Sequence, residues 1–424
     1  MIQRPKGTRD LLPENTYKWQ ELEANVKEVL EGFGFEEIRV PVFEHTEVFQ
    51  RGVGETTDVV QKEMYTFEDK GGRSITLRPE GTAGVIRAYI ENGLMSRPSP
   101  LKLWYNMGMY RYENVQKGRY REFHQIGAEV IGSDSYLADV ETILLANSIF
   151  KKLNINNINL MLNSIGCPNC RKAYQAALKD FIGDKFNEYC ETCKTRFDKN
   201  PMRILDCKEK RCKELNVGAP RVIDFLCDEC KTHFENVKKS LDSLGVKYEI
   251  DPDIVRGLDY YTKTVFEFVD GNTGLTVLGG GRYDGLVEEF GGQKVPAIGF
   301  ATGVERLIEM YEENNKEFLE EIKPTPDLYI VSAGENEALV ATRLANELRE
   351  ELFYARIEKD LNGRSFNAQM KFANKIGANT VIVIGENEID SGIVKIKFMK
   401  EEKEDIEVKL DAKEIAKVLE NELF

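Results

Sequence analysis

Two neighbouring segments carry the residue types of a polar ligand-binding site. Residues 255–268 read VRGLDYYTKTVFEF, and the glycine-rich run GGGRYDG follows at residues 279–285. The alternating second half of the first segment predicts a strand, with an arginine, an aspartate and two adjacent tyrosines at its entrance. Such an entrance suits a small polar ligand. The alternative is an ordinary hairpin whose arginine forms a surface ion pair.

A second group of charged residues lies on a predicted hairpin. Residues 103–132 read as two strands, each mixing aromatic, aliphatic and charged side chains, joined by a polar loop at residues 114–120. A charged sheet face inside a large domain is costly unless the charges meet ligands or one another. We therefore predict a binding site here rather than a structural network. The residues that share parity within their strands are Arg111, Glu113, Arg121, Gln125 and Glu129.

A third segment, residues 296–308, reads as a buried strand of small residues that enters a helix carrying Glu305 and Arg306. A helix that begins beside a sheet offers free amide groups and a partial positive charge to an anion. Close packing at the turn would by itself explain Gly299 and Gly303, but not an arginine directed at the sheet. The segment therefore predicts an anion-binding position.

In their order along the chain, these segments resemble the motifs of class II aminoacyl-tRNA synthetases. The segment around Arg111 is similar to motif 2, the segment ending at Arg306 to motif 3, and GFEEIRVP at residues 34–41 to motif 1. The RGLDYY segment that begins at Arg256 resembles the signature of the histidyl-tRNA synthetase family. The resemblance extends over essentially the whole chain, beginning with KGTRD at residues 6–10.

This resemblance implies an ATP-dependent ligase that activates L-histidine with ATP and Mg²⁺ and transfers it to the 3′ end of tRNA(His). It also implies a homodimer, because motif 1 lies at a subunit interface in this family. One alternative is a catalytically silent paralogue that binds histidine and regulates a phosphoribosyltransferase, but that class typically lacks the C-terminal domain and departs from the signature at Arg256. Another is a zinc-dependent nucleic-acid sensor, which would require disrupted catalytic positions.

The family's motifs imply roles for individual residues toward ATP. Arg111 would hold the α-phosphate, Arg306 would hold the γ-phosphate, and Glu113 would also contact the nucleotide. Arg256 would bridge the histidine carboxylate and the α-phosphate in the transition state. Arginine suits these positions because its planar guanidinium contacts two oxygens at once.

For the amino acid, the resemblance implies acceptors for the imidazole N–H groups and a separate set for the α-ammonium group. A site built on paired hydrogen bonds leaves buried polar groups stranded when the wrong ligand binds, so it can select without editing. The imidazole set is Glu129, Tyr261 and the neighbouring Tyr260, and the ammonium set is Glu80, Thr82 and Gln125.

The formal net charge of -14 limits indiscriminate binding of nucleic acid, since Lys and Arg contacts to phosphates dominate such affinity. Residues 102–121 still contain a locally basic stretch. Within it, Gln116 and Arg119 on the motif 2 loop are candidates for contacting the acceptor end of tRNA. No apolar run approaches the ~20 residues needed to span a bilayer, and the N-terminus lacks the pattern of a leader. We expect a soluble, cytoplasmic protein with no membrane partner.

Length and segment order predict more than one domain, because a single core usually stops growing near about 250 to 300 residues. We predict an α+β fold with a class II catalytic domain at residues 1–322, whose antiparallel sheet is flanked by helices and interrupted by a cysteine-rich insertion at residues 165–245. A proline linker, KPTP, follows at residues 323–326. The alternating strands and helices beyond it predict an α/β domain at residues 326–424, which resembles the anticodon-binding domain of histidyl-type synthetases.

The insertion contains all eight cysteines of the chain. Three pairs are spaced Cys-x-x-Cys and one Cys-x4-Cys, which lets two thiolates reach one tetrahedral zinc ion. Two four-cysteine sites and one site with spare thiols both fit this spacing, whereas scattered buried thiols would not be paired. Such a zinc would be structural, because four thiolates leave no open coordination position. The candidate ligands, which the family resemblance does not supply, are Cys167, Cys170, Cys190, Cys193, Cys207, Cys212, Cys227 and Cys230.

Overall fold

The computed structural model describes residues 1–54, 57, 59–116, 118–205, 207, 209–254, 258–400 and 403–423. These residues form two compact units, Met1–Leu319 and Glu320–Phe424. The break between the units lies close to the predicted proline linker. The functional domain bounds, 1–322 and 326–424, stay predictions.

Helices and strands alternate irregularly in the first unit, whereas in the second unit they alternate except where β16 directly follows β15. The helices are α1 (Pro13–Gly32), α2 (Thr46–Val53), α3 (Thr82–Glu91), α4 (Tyr136–Lys152), α5 (Pro168–Gly183), α6 (Glu191–Lys199), α7 (Lys210–Leu215), α8 (Asp228–Ser243), α9 (Leu286–Glu289), α10 (Val304–Asn314), α11 (Lys316–Glu321), α12 (Glu335–Glu351), α13 (Phe366–Lys375), α14 (Glu386–Ser391) and α15 (Ala412–Leu423). The strands are β1 (Glu36–Glu37), β2 (Phe43–His45), β3 (Thr66–Glu68), β4 (Ser74–Leu77), β5 (Leu101–Tyr110), β6 (Glu122–Ile131), β7 (Ile158–Ser164), β8 (Glu249–Ile250), β9 (Thr262–Asp270), β10 (Thr276–Arg282), β11 (Ala297–Gly303), β12 (Leu328–Ser332), β13 (Ile357–Lys359), β14 (Thr380–Ile384), β15 (Ile393–Phe398) and β16 (Ile406–Lys409).

The central sheet of the first unit has the strand order β1-β5-β6-β11-β10-β9-β7-β8. Its inner neighbours pair antiparallel, and β1 with β5 and β7 with β8 pair parallel at the two edges. A smaller sheet, β2-β4-β3, belongs to the same unit. This architecture confirms the predicted α+β class with a mainly antiparallel sheet.

The β5–β6 hairpin positions much of the candidate site. Because side chains alternate between the two faces of a strand, Gln125 and Glu129 lie on the same face of β6. The hairpin is shorter than predicted at its loop end, since β5 ends at Tyr110. Arg111 and Glu113 consequently lie in the loop. There the direction of their side chains is not set by the two-residue repeat of a strand.

The cysteine-rich insertion is helical and lies between β7 and β8 in the chain. On α5, the apolar side chains of Tyr174, Leu178 and Ile182 recur every four residues and are buried. This spacing places them on one face of the helix, which packs into the core of the first unit. The insertion is therefore an integral part of that unit.

The second unit is an α/β fold with the strand order β13-β12-β14-β15-β16. Strand β12 pairs parallel with β13 and β14, and β15 pairs antiparallel with β14 and β16. Apolar residues of α12 and α15 pack on the sheet to form a core of their own. In the part of the chain that the structure describes, no helix combines the length and apolarity needed to cross a bilayer.

Candidate active site

Two adjoining cavities lie against one face of the central sheet, where β10 and β11 carry small residues. Their volumes are about 350 Å³ for the larger cavity and about 220 Å³ for the smaller cavity. Gly279 and Ala301, which pair across β10 and β11, line both cavities. Arg111 also lines both. One guanidinium group therefore reaches the junction of two potential ligand sites.

The smaller cavity brings together all six residues that the sequence predicts for the imidazole and the α-ammonium group of histidine. Its other walls include Leu258, Tyr283 and Phe300. The rings of Tyr260 and Tyr261 lie 4.7 Å apart, which gives the cavity an aromatic side. The predicted residues that line it are Glu80, Thr82, Gln125, Glu129, Tyr260 and Tyr261.

Glu129 is a buried carboxyl group at the floor of the smaller cavity. Thr82 Oγ1 donates a hydrogen bond to Glu129 Oε1 at 2.8 Å, and the Tyr283 hydroxyl donates to Oε2. Burial raises the pKa of Glu129 to about 8, against the opposing effect of these hydrogen bonds. Gly299 lies opposite on β11, and a Cβ at that position would overlap the carboxylate. Only glycine leaves room for the Glu129 side chain there.

Glu80 supplies a second buried carboxyl group at the same cavity. Its two oxygens accept hydrogen bonds from the backbone N–H groups of Thr82 and Ala83, each at 2.8 Å, at the start of α3. Burial raises the pKa of Glu80, and these amides and Arg111 oppose that rise. Two carboxyl groups held in one small cavity favour a ligand that carries positive charge or several N–H donors.

Gln125 adds an acceptor to this set. Its Oε1 atom is buried and has no hydrogen-bond partner among the residues that the structure describes. A buried polar atom left unsatisfied is costly, so it favours a ligand donor in the cavity. The smaller cavity therefore suits a small ammonium compound with further N–H groups.

The larger cavity is lined by several arginines. Arg111 Nε donates to the Pro79 carbonyl at 2.7 Å, and its guanidinium lies 5.3 Å from the ring centroid of Phe123. The carboxylate of Glu113 lies 3.8 Å from Arg111 and 3.5 Å from Arg119. The arginines that line the cavity are Arg111, Arg119, Arg203 and Arg306.

Arg306, in the first turn of α10, is held over β10 by a hydrogen bond from its guanidinium to the Thr276 carbonyl. Burial lowers the pKa of Arg306, and the positive charge of Arg119 lowers it further. Clustered, partly desolvated cations of this kind favour a polyanionic ligand. The geometry thus offers a polyphosphate site beside a site for a small amino compound, with Arg111 between them.

Comparison with known proteins assigns this arrangement to a family. A family model described as Histidyl-tRNA synthetase matches residues 7–177 and 210–307, more than half of the chain. The chain belongs to the histidyl-tRNA synthetase family. A second model, described as an anticodon binding domain, matches residues 327–422.

Individual relatives agree with the histidyl-tRNA synthetase assignment over almost the full length. A histidine–tRNA ligase of Acetivibrio thermocellus is 54% identical over 413 residues, covering 97% of this chain and 98% of the relative. A histidine–tRNA ligase of Clostridium novyi is 52% identical, covering 97% of each chain. The solved apo structure of S. aureus histidyl-tRNA synthetase matches with a TM-score of 0.82 and 38% identity, over 99% of both chains.

Several predicted positions are placed differently from their sequence pattern. Arg121 shares the parity of Gln125 but precedes β6, and it stacks on Tyr112 at 3.8 Å from the ring centroid. Gln116 and Arg119 form an isolated bridge in the motif 2 loop of this synthetase family. Of these two described residues, Arg119 lines the larger cavity and Gln116 does not.

Arg256, predicted to bridge the carboxylate and the α-phosphate, lies outside the described residues. Its role stays a prediction from the signature of the histidyl-tRNA synthetase family. The other site residues have described positions at the two cavities or in the motif 2 loop, and their roles toward the substrates stay predictions as well.

The sequence patterns gave no individual role to several residues at the site. Tyr283 belongs to the glycine-rich run at residues 279–285. Its position directly after β10 was the sequence feature that could have placed it at the cavity. Glu305 is buried and accepts hydrogen bonds from the backbone N–H of His124 at 3.0 Å. It also lies 3.4 Å from Arg9. Arg203 comes from the insertion, and no local pattern placed it at the cavity.

The cysteines of the insertion fall into two groups of four. Within each group the sulfur atoms lie within 4.8 Å of one another. The histidyl-tRNA synthetase model leaves residues 178–209 unmatched, a stretch that holds three of the eight. The first cysteine group is Cys167, Cys170, Cys227 and Cys230, and the second cysteine group is Cys190, Cys193, Cys207 and Cys212.

Proposed function

We propose that this chain is a histidine–tRNA ligase. It activates L-histidine with ATP to form histidyl-adenylate and pyrophosphate, and it then transfers the histidyl group to the 3′ end of tRNA(His) with release of AMP. The observation that carries the proposal is the shared wall at Arg111, which joins the smaller cavity to the arginine-lined larger cavity. Adenylation requires the carboxylate of one substrate to meet the α-phosphate of the other at such a junction.

The smaller cavity binds histidine. Glu80, Thr82 and Gln125 receive the α-ammonium group, and the unsatisfied Gln125 Oε1 supports this assignment. Glu129 accepts an imidazole N–H, with Tyr260 and Tyr261 beside it. An amino acid without ring N–H groups would give the buried Glu129 no donor beyond Thr82 and Tyr283, and this missing hydrogen bond is the physical basis of selectivity.

The larger cavity binds ATP. Arg111 holds the α-phosphate, and Arg306 holds the γ-phosphate. Negative charge builds on phosphoryl oxygens during both steps, and guanidinium groups already in place stabilise it without reorganisation. The carboxylates of Glu63 and Glu113 line this cavity and are the hard oxygen ligands that Mg²⁺ prefers. When bound, Mg²⁺ supplies further charge neutralisation on the phosphates.

Arg256 is the catalytic residue of the signature segment. In this role it contacts the histidine carboxylate and the α-phosphate together, and that contact is strongest in the transition state. Arg119 and Gln116 contact the acceptor end of tRNA. The unit matched by the anticodon-binding model contacts tRNA(His) elsewhere.

The proposed oligomeric state and cellular location are those that the resemblance to the family implies. The chain acts as a homodimer in the cytoplasm, where tRNA charging serves translation. Structural Zn²⁺ is bound by paired cysteines of the insertion, whose grouped sulfur atoms support metal binding.

Histidine-dependent exchange of pyrophosphate into ATP tests the proposal. We expect the purified chain to catalyse exchange with histidine and not with other amino acids, and to charge tRNA(His). Histidine binding without exchange would instead indicate the silent regulatory paralogue. Exchange that does not depend on histidine would contradict the assignment of the smaller cavity.

A further inference from the structure

The two cysteine groups have the dimensions of two separate metal centres. In the first group, Cys167 Sγ lies 3.5 Å from Cys170 Sγ and 4.0 Å from Cys227 Sγ. In the second group, Cys190 Sγ lies 3.9 Å from Cys207 Sγ. Four zinc–sulfur bonds of about 2.3 Å in a tetrahedron place sulfurs about 3.8 Å apart, whereas a disulfide brings them to about 2 Å. These sulfur–sulfur distances therefore fit zinc, and all eight cysteines are free thiols in the structure.

Backbone geometry supports thiolates at both groups. Cys167, Cys190 and Cys227 are the N-cap residues of α5, α6 and α8, so the second cysteine of each pair lies in the first helical turn. Helix N-termini carry unpaired N–H groups and partial positive charge, which stabilise thiolates. The N–H of Cys227 donates to Cys170 Sγ at 3.1 Å, and the N–H of Cys190 donates to Cys212 Sγ at 3.4 Å.

The first cysteine group adjoins the strand that continues from the histidine-binding tyrosines. Ile165 and Gly166, just before Cys167, exchange backbone hydrogen bonds with Lys263 at 2.8 and 2.9 Å. Arg171, in the first turn of α5, donates to the Tyr261 carbonyl at 3.2 Å. This group therefore fixes the insertion to the wall of the smaller cavity.

The second cysteine group encloses the segment that carries Arg203. The short helical turn Pro201–Ile204 lies between Cys193 and Cys207, and the N–H of Cys207 donates to the Ile204 carbonyl at 3.2 Å. Arg203 is 4% exposed and lines the larger cavity with Arg111 and Arg306. The insertion thus delivers one more guanidinium group to the polyphosphate site.

We propose that the second cysteine group binds a zinc ion that holds Arg203 in the wall of the larger cavity, so that nucleotide binding depends on this zinc. The first group binds a separate zinc. Arg203 is a positioning residue for the phosphates of ATP, and this part rests on the proposed function, which takes the larger cavity as the ATP site.

The metal part is tested by counting zinc in protein purified under reducing, chelator-free conditions. We expect two zinc ions per wild-type chain. Cys193→Ser removes a ligand from the second cysteine group and Cys227→Ser removes one from the first, so each variant should retain one zinc ion per chain. Cys193→Ser should raise the KM for ATP more than the KM for histidine. A wild-type content of one or none, or an unchanged KM for ATP in Cys193→Ser, would overturn the assignment.

The arginine part is tested by Arg203→Ala with the zinc content measured alongside. We expect this variant to retain two zinc ions per chain. Its KM for ATP should rise about tenfold or more, as for loss of one charge-assisted hydrogen bond. Its KM for histidine should stay within about twofold of the wild-type value. Arg203→Lys should recover part of the loss. Arg211→Ala, an exposed arginine of the same insertion paired with Glu188, is the matched control and should behave as wild type.

Calorimetric measurement of the binding of a non-hydrolysable ATP analogue distinguishes a failure of the proposed ligase function from a failure of the Arg203 assignment. If the wild-type chain shows no histidine-dependent exchange, the proposed function fails, whatever the zinc content. If exchange is normal and Arg203→Ala binds the analogue as tightly as wild type does, the Arg203 assignment alone is wrong.

Discussion

At Glu129, burial and hydrogen bonding act in opposite directions on one carboxyl group, and burial dominates. The hydroxyl groups of Thr82 and Tyr283 both donate to it, yet its pKa is raised to about 8. A ligand N–H adds a further donor and favours the charged form. We therefore expect the ionisation of Glu129 to respond to pH and, under the proposed function, to the binding of histidine.

The pH dependence of stability tests this account of Glu129. Its pKa is about 8 in the folded chain against 4.5 ordinarily, so the folded state binds more protons between these values. The contribution of Glu129 to the free energy of unfolding is thus full below about pH 4.5 and is lost as the pH rises through about 8. In Glu129→Gln this loss is absent, so the wild type should weaken relative to the variant by a few kcal/mol over that window, on the order of 1.4 kcal/mol for each step of one in pH.

Urea unfolding of both proteins without ligand, at several pH values across that window, measures the difference. Parallel stability profiles for the wild type and Glu129→Gln would show that Glu129 titrates as an ordinary carboxyl group. The measurement requires conditions in which both proteins unfold in a single transition.

Arg256 should act mainly in the transition state. We expect Arg256→Ala to lower the rate of adenylation by far more than it weakens histidine binding, because a contact that strengthens only as charge develops raises kcat rather than affinity. Single-turnover adenylation and histidine titration measure the two effects separately. Equal losses in both would assign Arg256 to ground-state binding, and Arg256→Lys should restore only part of the rate, since it lacks the planar fork.

At the scale of elements, strands β6, β10 and β11 create the two cavities by combining long polar side chains with small ones. Gln125 and Glu129 rise from β6, and Gly279, Gly299 and Ala301 leave space on the neighbouring strands. The register places Gly299 directly opposite Glu129. A shift of one residue would turn the carboxylate away from the cavity.

Gly299→Ala tests this dependence on strand packing. The added Cβ would overlap the Glu129 carboxylate and approach the Ala128 carbonyl to 2.5 Å. We expect a loss of histidine affinity of at least about tenfold together with lower stability, since overpacking typically costs about 1 to 3 kcal/mol. Gly285→Ala, where a Cβ meets no atom within 4 Å, is the control and should retain wild-type affinity. Unchanged histidine binding in Gly299→Ala would show that the carboxylate can move without consequence.

At the scale of the whole molecule, two units with separate cores divide the chain. The second unit buries apolar residues of α12 and α15 against its own sheet, whereas every described residue lining the two cavities belongs to the first unit. We therefore expect truncation to separate adenylation from recognition of the remote part of tRNA.

A chain ending at Lys323 should keep adenylation and lose efficient charging. We expect histidine-dependent pyrophosphate exchange within a few-fold of wild type, because both cavities remain complete, and a marked fall in kcat/KM for tRNA(His). Full-length protein is the control in both assays. Normal charging by the truncated chain would contradict the anticodon-binding assignment of the second unit.

The sequence by itself determined the class of fold, the family and most of the charged and polar side chains that line the two cavities. Alternation in β6 predicted that Gln125 and Glu129 share a face, and Cys-x-x-Cys spacing predicted paired thiols. Such predictions succeed because a strand's two-residue repeat and a helical turn fix the positions of near neighbours along the chain.

Only the tertiary structure decided which distant segments meet. It joined the first and last cysteine pairs into one group and the two middle pairs into another, and it brought Arg203 from the insertion to the wall shared with Arg306. It also placed Arg111 in a loop at the junction of both cavities. These contacts depend on how helices and strands pack over long separations in the chain, and no local spacing specifies that packing.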